Sequence, residues 1–185
     1  MHRPHVVAAV VMSLLLCACD ARRDFSGTYE LSGELSLSEG RAVRIIKVKA
    51  ARLAIIADAF DSDSLYLDFE CGLSATMRKE SFALDVKKCP SYIEDSCSLT
   101  WTFSNGLGTL KDDSSLDFDT TGTVDVKCTD GTSGLVSFSF QLTGVRGDGS
   151  TSEPSLPGEQ SGDARSSHLS AVRAAVIQSV RSQLP

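Results

Sequence analysis

The sequence predicts an all-β protein, an antiparallel up-and-down barrel of about eight strands followed by a C-terminal amphipathic helix. The main observation is that apolar residues recur at every second position through much of the region 25–145, which is typical of strands with one buried face. Short polar turns join these runs in sequence, and closing such a meander into a barrel removes the edges of an open sheet. A two-sheet β-sandwich made from the same strands is the alternative architecture.

The predicted strands follow this alternation along the chain. It is unbroken over 25–37, and the chain returns after a polar turn at 38–41. Residues 53–57 are compatible with a helix or a strand, and they are interpreted as a strand because the apolar run is short and lies between strands. Nine of the twelve aromatic residues fall in the inward phase and are expected to fill the core: Phe25, Tyr29, Phe69, Phe82, Trp101, Phe103, Phe118, Phe138 and Phe140.

The best-defined register joins the strand that begins at Cys97 to the strand that ends at Cys128. When the chain is folded about Asp112-Asp113, apolar residues of the two strands face each other, with Leu107 opposite Phe118 among them. The same register places the two cysteines directly opposite each other. Register in a one-faced sheet is set by the apolar pattern, and here the pattern and the cysteine pairing agree independently. Cys97–Cys128 is therefore a predicted disulfide.

Pairing those two cysteines leaves Cys71 and Cys89 as a second disulfide. Cys89 lies out of phase with the apolar residues of its own strand, so a Cys89–Cys97 loop bridge is the alternative. Two disulfides are typical of a chain that folds in an oxidising compartment. Because no Cys-x-x-Cys pair is present, the cysteines do not indicate a zinc site, and no metal is expected.

The N-terminal region resembles a bacterial lipoprotein signal. A short basic segment precedes an apolar run at 6–16, which is too short to span a membrane, since about 20 apolar residues are needed. The sequence Leu16-Cys17-Ala18-Cys19 resembles the box that the lipoprotein signal peptidase reads. Cys19 is favoured over Cys17 as the acylated residue because Ala18 supplies the small side chain before it.

The resemblance implies a chain anchored to a membrane through acyl chains on Cys19 and facing the periplasm or the exterior of a bacterial cell envelope. An ordinary secretory signal or an uncleaved anchor is the alternative. Asp20 directly follows the acylated cysteine, and an aspartate at that position retains lipoproteins in the inner membrane of enteric bacteria. This rule varies between bacterial groups, so the choice between inner and outer membrane stays open. The predicted organisation is a signal peptide at 1–18, a lipidated tether at 19–24, a barrel domain at 25–145, a flexible linker at 146–163 and a helix at 164–185.

Composition and the scarcity of catalytic groups exclude several functions. The chain has a formal charge of −6 and is expected to lack a basic cluster, which disfavours nucleic acid as a partner. Only His168 remains after the signal peptide is removed, so no Ser–His or Cys–His catalytic pair is expected. The Asp61–Asp63 segment begins like a calcium loop, but Tyr66 stands where the turn glycine belongs. We expect no enzyme activity and no cofactor.

A second resemblance concerns the barrel itself. Gly27-Thr28-Tyr29 at the start of the first strand resembles the lipocalin opening motif, and Arg146 stands where a lipocalin places an arginine against the motif's aromatic residue. Tyr29 replaces the usual Trp, and no Thr-Asp-Tyr-like motif is present. The resemblance implies a barrel that holds one small apolar ligand.

Two functions follow as hypotheses. The first is a non-enzymatic interaction or structural lipoprotein of the cell envelope, which binds another envelope protein through the barrel surface or the terminal helix. The alternative is a lipocalin-like binder of a small apolar molecule. The inward aromatic residues favour a filled interior and therefore the first hypothesis.

Overall fold

The computed structural model describes residues 20–147 and 163–181, and most of this chain forms one antiparallel sheet. Two helices accompany the sheet: α1 (Arg22–Phe25) before the first strand and α2 (Asp163–Arg181) after the last. The strands are β1 (Gly27–Glu39), β2 (Ala42–Ala57), β3 (Ser64–Asp68), β4 (Leu73–Arg78), β5 (Ser81–Leu84), β6 (Lys87–Lys88), β7 (Tyr92–Glu94), β8 (Cys97–Asp112), β9 (Ser115–Cys128) and β10 (Ser133–Arg146).

Eight of the strands close into a ring. Strands β1 to β5 pair in sequence, β5 pairs with β8, β8 to β10 pair in sequence, and β10 pairs with β1. The short strands β6 and β7 pair only with β8. The ring is uneven because β3, β4 and β5 have 5, 6 and 4 residues, whereas β2 and β8 have 16 each. The predicted all-β up-and-down barrel of about eight strands with a C-terminal helix is confirmed.

Aromatic side chains fill the interior of the barrel. All nine aromatic residues predicted to point inward are buried, and the three others, Phe60, Tyr66 and Tyr92, are exposed. Phe69 lies at the centre of the group, with its ring centroid 5.6–6.2 Å from those of three further phenylalanines in edge-to-face contact. Edge-to-face contacts of this kind add stability beyond simple burial, so the period-two pattern identifies a packed core.

The register of the β8–β9 hairpin agrees with the prediction near the cysteines and departs from it farther along. Cys97 pairs with Cys128, but Leu107 lies opposite Asp119 rather than Phe118. The register shifts between Phe103 and Asn105, because the strand bulges there and every later side chain changes face. Leu107 is consequently 47% exposed, and the predicted Leu107–Phe118 pair is wrong.

Glycines take the inward positions after the bulge. A Cβ atom at Gly108 would lie 2.0 Å from Cζ of Phe82, and one at Gly106 would lie 2.5 Å from Cδ1 of Leu84. Both neighbours belong to β5, the strand that closes the ring against β8. The absence of side chains at these two glycines therefore lets β5 approach closely enough to complete the barrel.

Both predicted disulfides are present in the structure. Cys71–Cys89 joins the β3–β4 loop to the segment that follows β6, and Cys97–Cys128 joins β8 to β9. The alternative Cys89–Cys97 bridge is not formed. Both bonds lie at the end of the barrel where β8 begins and β9 ends, so the covalent links are concentrated at one end.

Several predicted boundaries differ slightly from the structure or fall outside it. Cys19 and residues 148–162 lie outside the described residues, so the acylation and the linker stay predictions. Residues 22–24 of the predicted tether belong to α1, and Arg146 belongs to β10 rather than to the linker. The ambiguous segment 53–57 is the second half of β2, which confirms its interpretation as a strand.

Candidate functional site

The barrel has two ends that different parts of the chain cover. We call the end with the β1–β2, β3–β4 and β9–β10 connections the upper end, and the opposite end the lower end. Helix α2 contacts β1, β2, β9 and β10 and lies across the upper end. Helix α1 precedes β1 and lies at the lower end, where β10 finishes.

At the lower end, Tyr29 and Arg146 hold α1 against the barrel. The Tyr29 hydroxyl donates a hydrogen bond to the carbonyl oxygen of Phe25 at 3.0 Å and accepts one from Nη2 of Arg146 at 2.7 Å. The same guanidinium donates to the carbonyl oxygen of Asp24 and lies 5.3 Å from the Tyr29 ring centroid. The contact between arginine and aromatic residue that the lipocalin resemblance implied is therefore present, and it closes this end.

The acidic loop after β2 is held by protein groups. Nη1 of Arg22 donates to the carbonyl oxygens of Asp58 and Asp61. The Asp61 carboxylate accepts from the backbone N–H of Asp63 at 3.0 Å and from the Ser64 hydroxyl at 2.7 Å. These bonds, led by the Asp63 N–H, lower the pKa of Asp61. The carboxylate thus serves to cap a turn, and residues 20–147 and 163–181 contain no group of three or more side chains suited to a metal ion.

At the upper end, α2 buries an apolar face against the barrel. Its buried residues recur at helical spacing, and Val176 is fully buried. Polar contacts lie on either side: Nη1 of Arg44 donates to Oε1 of Gln178 at 3.2 Å, and Arg181 lies 3.7 Å from the Asp130 carboxylate. The buried residues of α2 are Val172, Ala175, Val176, Ile177 and Val180.

An ion-pair cluster around Arg173 fixes the middle of α2. Its Nη2 lies 3.5 Å from Oε2 of Glu70, its Nη1 lies 3.9 Å from Oε2 of Glu94, and its guanidinium lies 3.8 Å from the Tyr92 ring centroid. The Glu70 side chain is only 5% exposed. Burial raises the pKa of Glu70, and the charge of Arg173 partly opposes this shift. We call these four residues the Arg173 cluster.

The Arg173 cluster predicts a pH dependence of stability. The pKa of Glu70 is higher in the folded chain than the ordinary value of 4.5. At pH values between 4.5 and the raised pKa, this carboxyl is therefore protonated to a greater extent in the folded state than in the unfolded state. Stability falls with rising pH wherever the folded state holds more protons. Glu70→Gln cannot ionise, so its unfolding free energy relative to wild type should increase as pH rises from 4.5 towards neutrality, measured by urea titrations.

The matched control is Glu80→Gln, which removes one formal charge from an exposed residue between β4 and β5. With rising pH, the unfolding free energy relative to wild type should increase more for Glu70→Gln than for this control. A relative stability of Glu70→Gln that is constant or falls with rising pH would show that ionisation of Glu70 costs the fold nothing.

A second prediction concerns the attachment of α2. Val176→Asp is expected to release α2 while the barrel stays folded, because burying an unpaired carboxylate costs on the order of several kcal/mol. Limited proteolysis should then cleave within α2 and leave the strands and both disulfides intact. Gln178→Glu adds the same charge on the exposed face and should leave α2 resistant. Resistance of α2 in Val176→Asp would contradict the packing described.

The outer surface carries a basic strand that the sequence analysis did not recognise. The expectation that this acidic chain lacks a basic cluster is wrong for β2 and the turn before it. Residues 40–57 contain no acidic residue. The basic residues of this stretch are Arg41, Arg44, Lys47, Lys49 and Arg52.

The other predicted site residues take structural places. His168 lies in α2, and Asp112 accepts hydrogen bonds from Ser114 in the β8–β9 turn.

The Arg173 cluster was missed because its members are far apart in sequence. In the predicted helix Arg173 stands apart from the apolar positions, and this pattern carries no signal for its pairing with Glu70 and Glu94. None of the helices among the described residues is long and apolar enough to cross a membrane.

The fold and its closed ends define the class of molecule: a small disulfide-linked antiparallel β-barrel covered at one end by a C-terminal helix. Beyond that class, the chain matches no protein-family model, no curated protein and no solved structure.

Proposed function

We propose that the protein is a cell-envelope lipoprotein, anchored through acyl chains on Cys19, that acts as a non-enzymatic interaction or structural module. The observation that carries this proposal is the filled interior of the barrel, with nine buried aromatic side chains. With α1 and α2 at its two ends, the barrel offers its outer surface to a partner. The acyl anchor and the signal peptide are supported by the resemblance of residues 16–19 to a lipoprotein box.

The alternative, a lipocalin-like binder of a small apolar ligand, is favoured by one contact and opposed by the packing. The Tyr29–Arg146 contact reproduces a feature of the lipocalin resemblance. However, a ligand would have to displace rings that are already in contact, such as those of Phe69 and Phe118, whose centroids are 5.7 Å apart. Protein interiors packed in this way lose stability when side chains are forced apart.

Anchoring can be tested by labelling lipoproteins in bacteria that express the full chain. Cells grown with an alkyne analogue of palmitate should yield labelled protein in the membrane fraction. Cys19→Ser should lose the label, because the thiol that carries the acyl chains is removed. Cys17→Ser, which changes the neighbouring cysteine, is the matched control and should keep the label.

The outcomes separate the alternatives for the N-terminus. Label that is lost in Cys17→Ser rather than in Cys19→Ser would assign the anchor to the other cysteine. Wild-type protein that carries no label and is released from cells would mean an ordinary secretory signal, and the lipoprotein proposal would fail.

A further inference from the structure

Most of β2 has a neighbour on only one side. β1 pairs with β2 from Ala42 to Ile55, whereas β3 pairs only with Ala54–Ala57. From Ala42 to Leu53, no other described strand lies beside the second edge of β2. We call Ala42–Arg52 the free edge. It presents about 35 Å of backbone at 3.3 Å per residue, extended as far as Lys49 and interrupted by a bulge at Ala50, where φ is +53°.

The backbone of the free edge has hydrogen-bonding groups to offer. In an antiparallel pair, alternate residues direct their N–H and C=O groups away from the partner strand. No backbone hydrogen bond links the free edge to a described segment other than β1. Helix α2 touches its beginning through Arg44 and Gln178, but Lys47, Lys49 and Arg52 are exposed. An unpaired edge of this kind is a template for an added strand.

The outer face of the free edge is apolar at one end and basic at the other. Val43 and Ile45 are 65% and 59% exposed, and they share a face with Lys47 because side chains alternate along a strand. Lys47 is paired with Glu34 on β1, yet it remains 67% exposed. On the inner face, Ile46 is only partly buried against the core. An added strand would therefore meet apolar contacts first and cations farther along.

Charge decides what kind of segment fits. A second copy of the chain would bring its own Lys47 and Lys49 against these residues, and like charges facing each other across strands are destabilising. A membrane surface would attract the cations but would leave the backbone N–H and C=O groups without strand partners. An extended acidic polypeptide satisfies both the backbone groups and the cations. The remainder of the chain is acidic, so these cations are a local exception to its net charge of −6.

We propose that the free edge of β2 is the site at which this protein binds its partner, by accepting an extended acidic segment of an envelope protein as an added β-strand. This inference rests on the proposed interaction function and gives it a surface and a partner chemistry. Running antiparallel to β2, the bound segment would place acidic residues beside Lys49 and Lys47 and apolar residues beside Ile45 and Val43. Successive side chains of the segment would point alternately to the outer and inner faces of the sheet, as the pleat requires.

A model peptide tests strand addition directly on the full chain in uncharged detergent micelles. The probe is a blocked nine-residue peptide in which threonine alternates with two glutamates in the N-terminal half and with two valines in the C-terminal half, so that one face carries the glutamates followed by the valines. The control peptide has the same side chains but is N-methylated at alternate residues, which removes the N–H groups that face β2. The unmethylated peptide should bind and slow amide hydrogen exchange at least tenfold within the free edge, and the methylated peptide should do neither.

Two charge-reversal variants of equal charge separate this site from general electrostatic attraction. Lys47→Glu with Lys49→Glu should weaken peptide binding about tenfold, as expected for two reversed cross-strand pairs. The control is Lys111→Glu with Lys127→Glu on β8 and β9, whose side chains are 56% and 70% exposed. It changes the net charge equally and should change binding less than twofold.

Several results would overturn the inference. The comparison of the two peptides on the wild-type protein supplies the first of them. Equal binding of both peptides, or equal loss in both variants, would exclude strand addition at β2. Protection of the free edge without peptide would show another occupant: a second copy if it grows with concentration, or residues 148–162 if their deletion removes it. Protection by anionic vesicles but not by peptide would assign the surface to a membrane. Because no arm depends on acylation, failure here is distinguishable from failure at Cys19.

Discussion

Replacing Phe69 with alanine is expected to lower the free energy of unfolding by about 3–5 kcal/mol, the usual cost of removing a buried phenylalanine ring. Phe69 is 6% exposed, and its ring touches those of Phe103, Phe118 and Phe140. Its loss removes three edge-to-face contacts at once and leaves a cavity that the ring of strands cannot collapse to fill. Urea unfolding followed by tryptophan fluorescence, which reports on Trp101, measures the change.

The matched control is Phe60→Ala, because Phe60 is fully exposed in the β2–β3 connection. A change of this kind on the surface usually alters stability by less than about 0.5 kcal/mol. If Phe69→Ala cost as little as Phe60→Ala, the centre of the barrel would already be loosely packed. Room for a ligand would then exist, and the lipocalin-like alternative would gain.

Replacing both Cys97 and Cys128 with serine is expected to lower the free energy of unfolding by roughly 3–4 kcal/mol, from the entropy of opening a closed loop. The bond spans 31 residues of sequence and joins neighbouring strands, whereas Cys71–Cys89 spans 18. The same loop argument predicts a slightly smaller loss for the double serine variant of the second pair. Urea titrations of the two variants against wild type measure both losses.

The variant that lacks Cys97 and Cys128 also tests the register of β8 and β9, the two strands that this bond joins. A cysteine pair that forms because its strands already lie in register should leave the folded barrel unchanged when it is removed. Amide exchange in β8 and β9 should then keep its native pattern at low denaturant. A new pattern of protected amides would mean that the disulfide imposes the register.

The sequence was sufficient where one face of a strand is buried. Period-two alternation identified the nine core aromatic residues and the facing of Cys97 and Cys128, because slipping by one residue would expose every apolar side chain. It failed beyond Phe103, where a bulge changes which residues face inward. The residues that follow are polar or small, Ser104 and Gly106 among them. They contain no large apolar side chain that would show which face of the strand points inward.

The candidate site was harder to predict because it depends on where a strand has no neighbouring strand. Alternation within β2 shows that it is a strand, but it cannot show that β3 is too short to cover Ala42–Leu53. Likewise, the pairing of Arg173 with Glu70 and Glu94 joins residues about 80 to 100 positions apart, and only the docking of α2 brings them together. The five cations of residues 41–52 were visible in sequence, but the chain's net negative charge concealed them.

The barrel interior is filled by its own side chains, and we therefore propose that binding takes place on the outer surface. Native mass spectrometry of the full chain, purified from cell membranes in uncharged detergent and compared before and after organic extraction, tests this most directly. We expect a mass equal to that of the acylated polypeptide alone, with nothing removed from the barrel by extraction. A reproducible small apolar molecule, bound in one-to-one ratio and released by extraction, would contradict it.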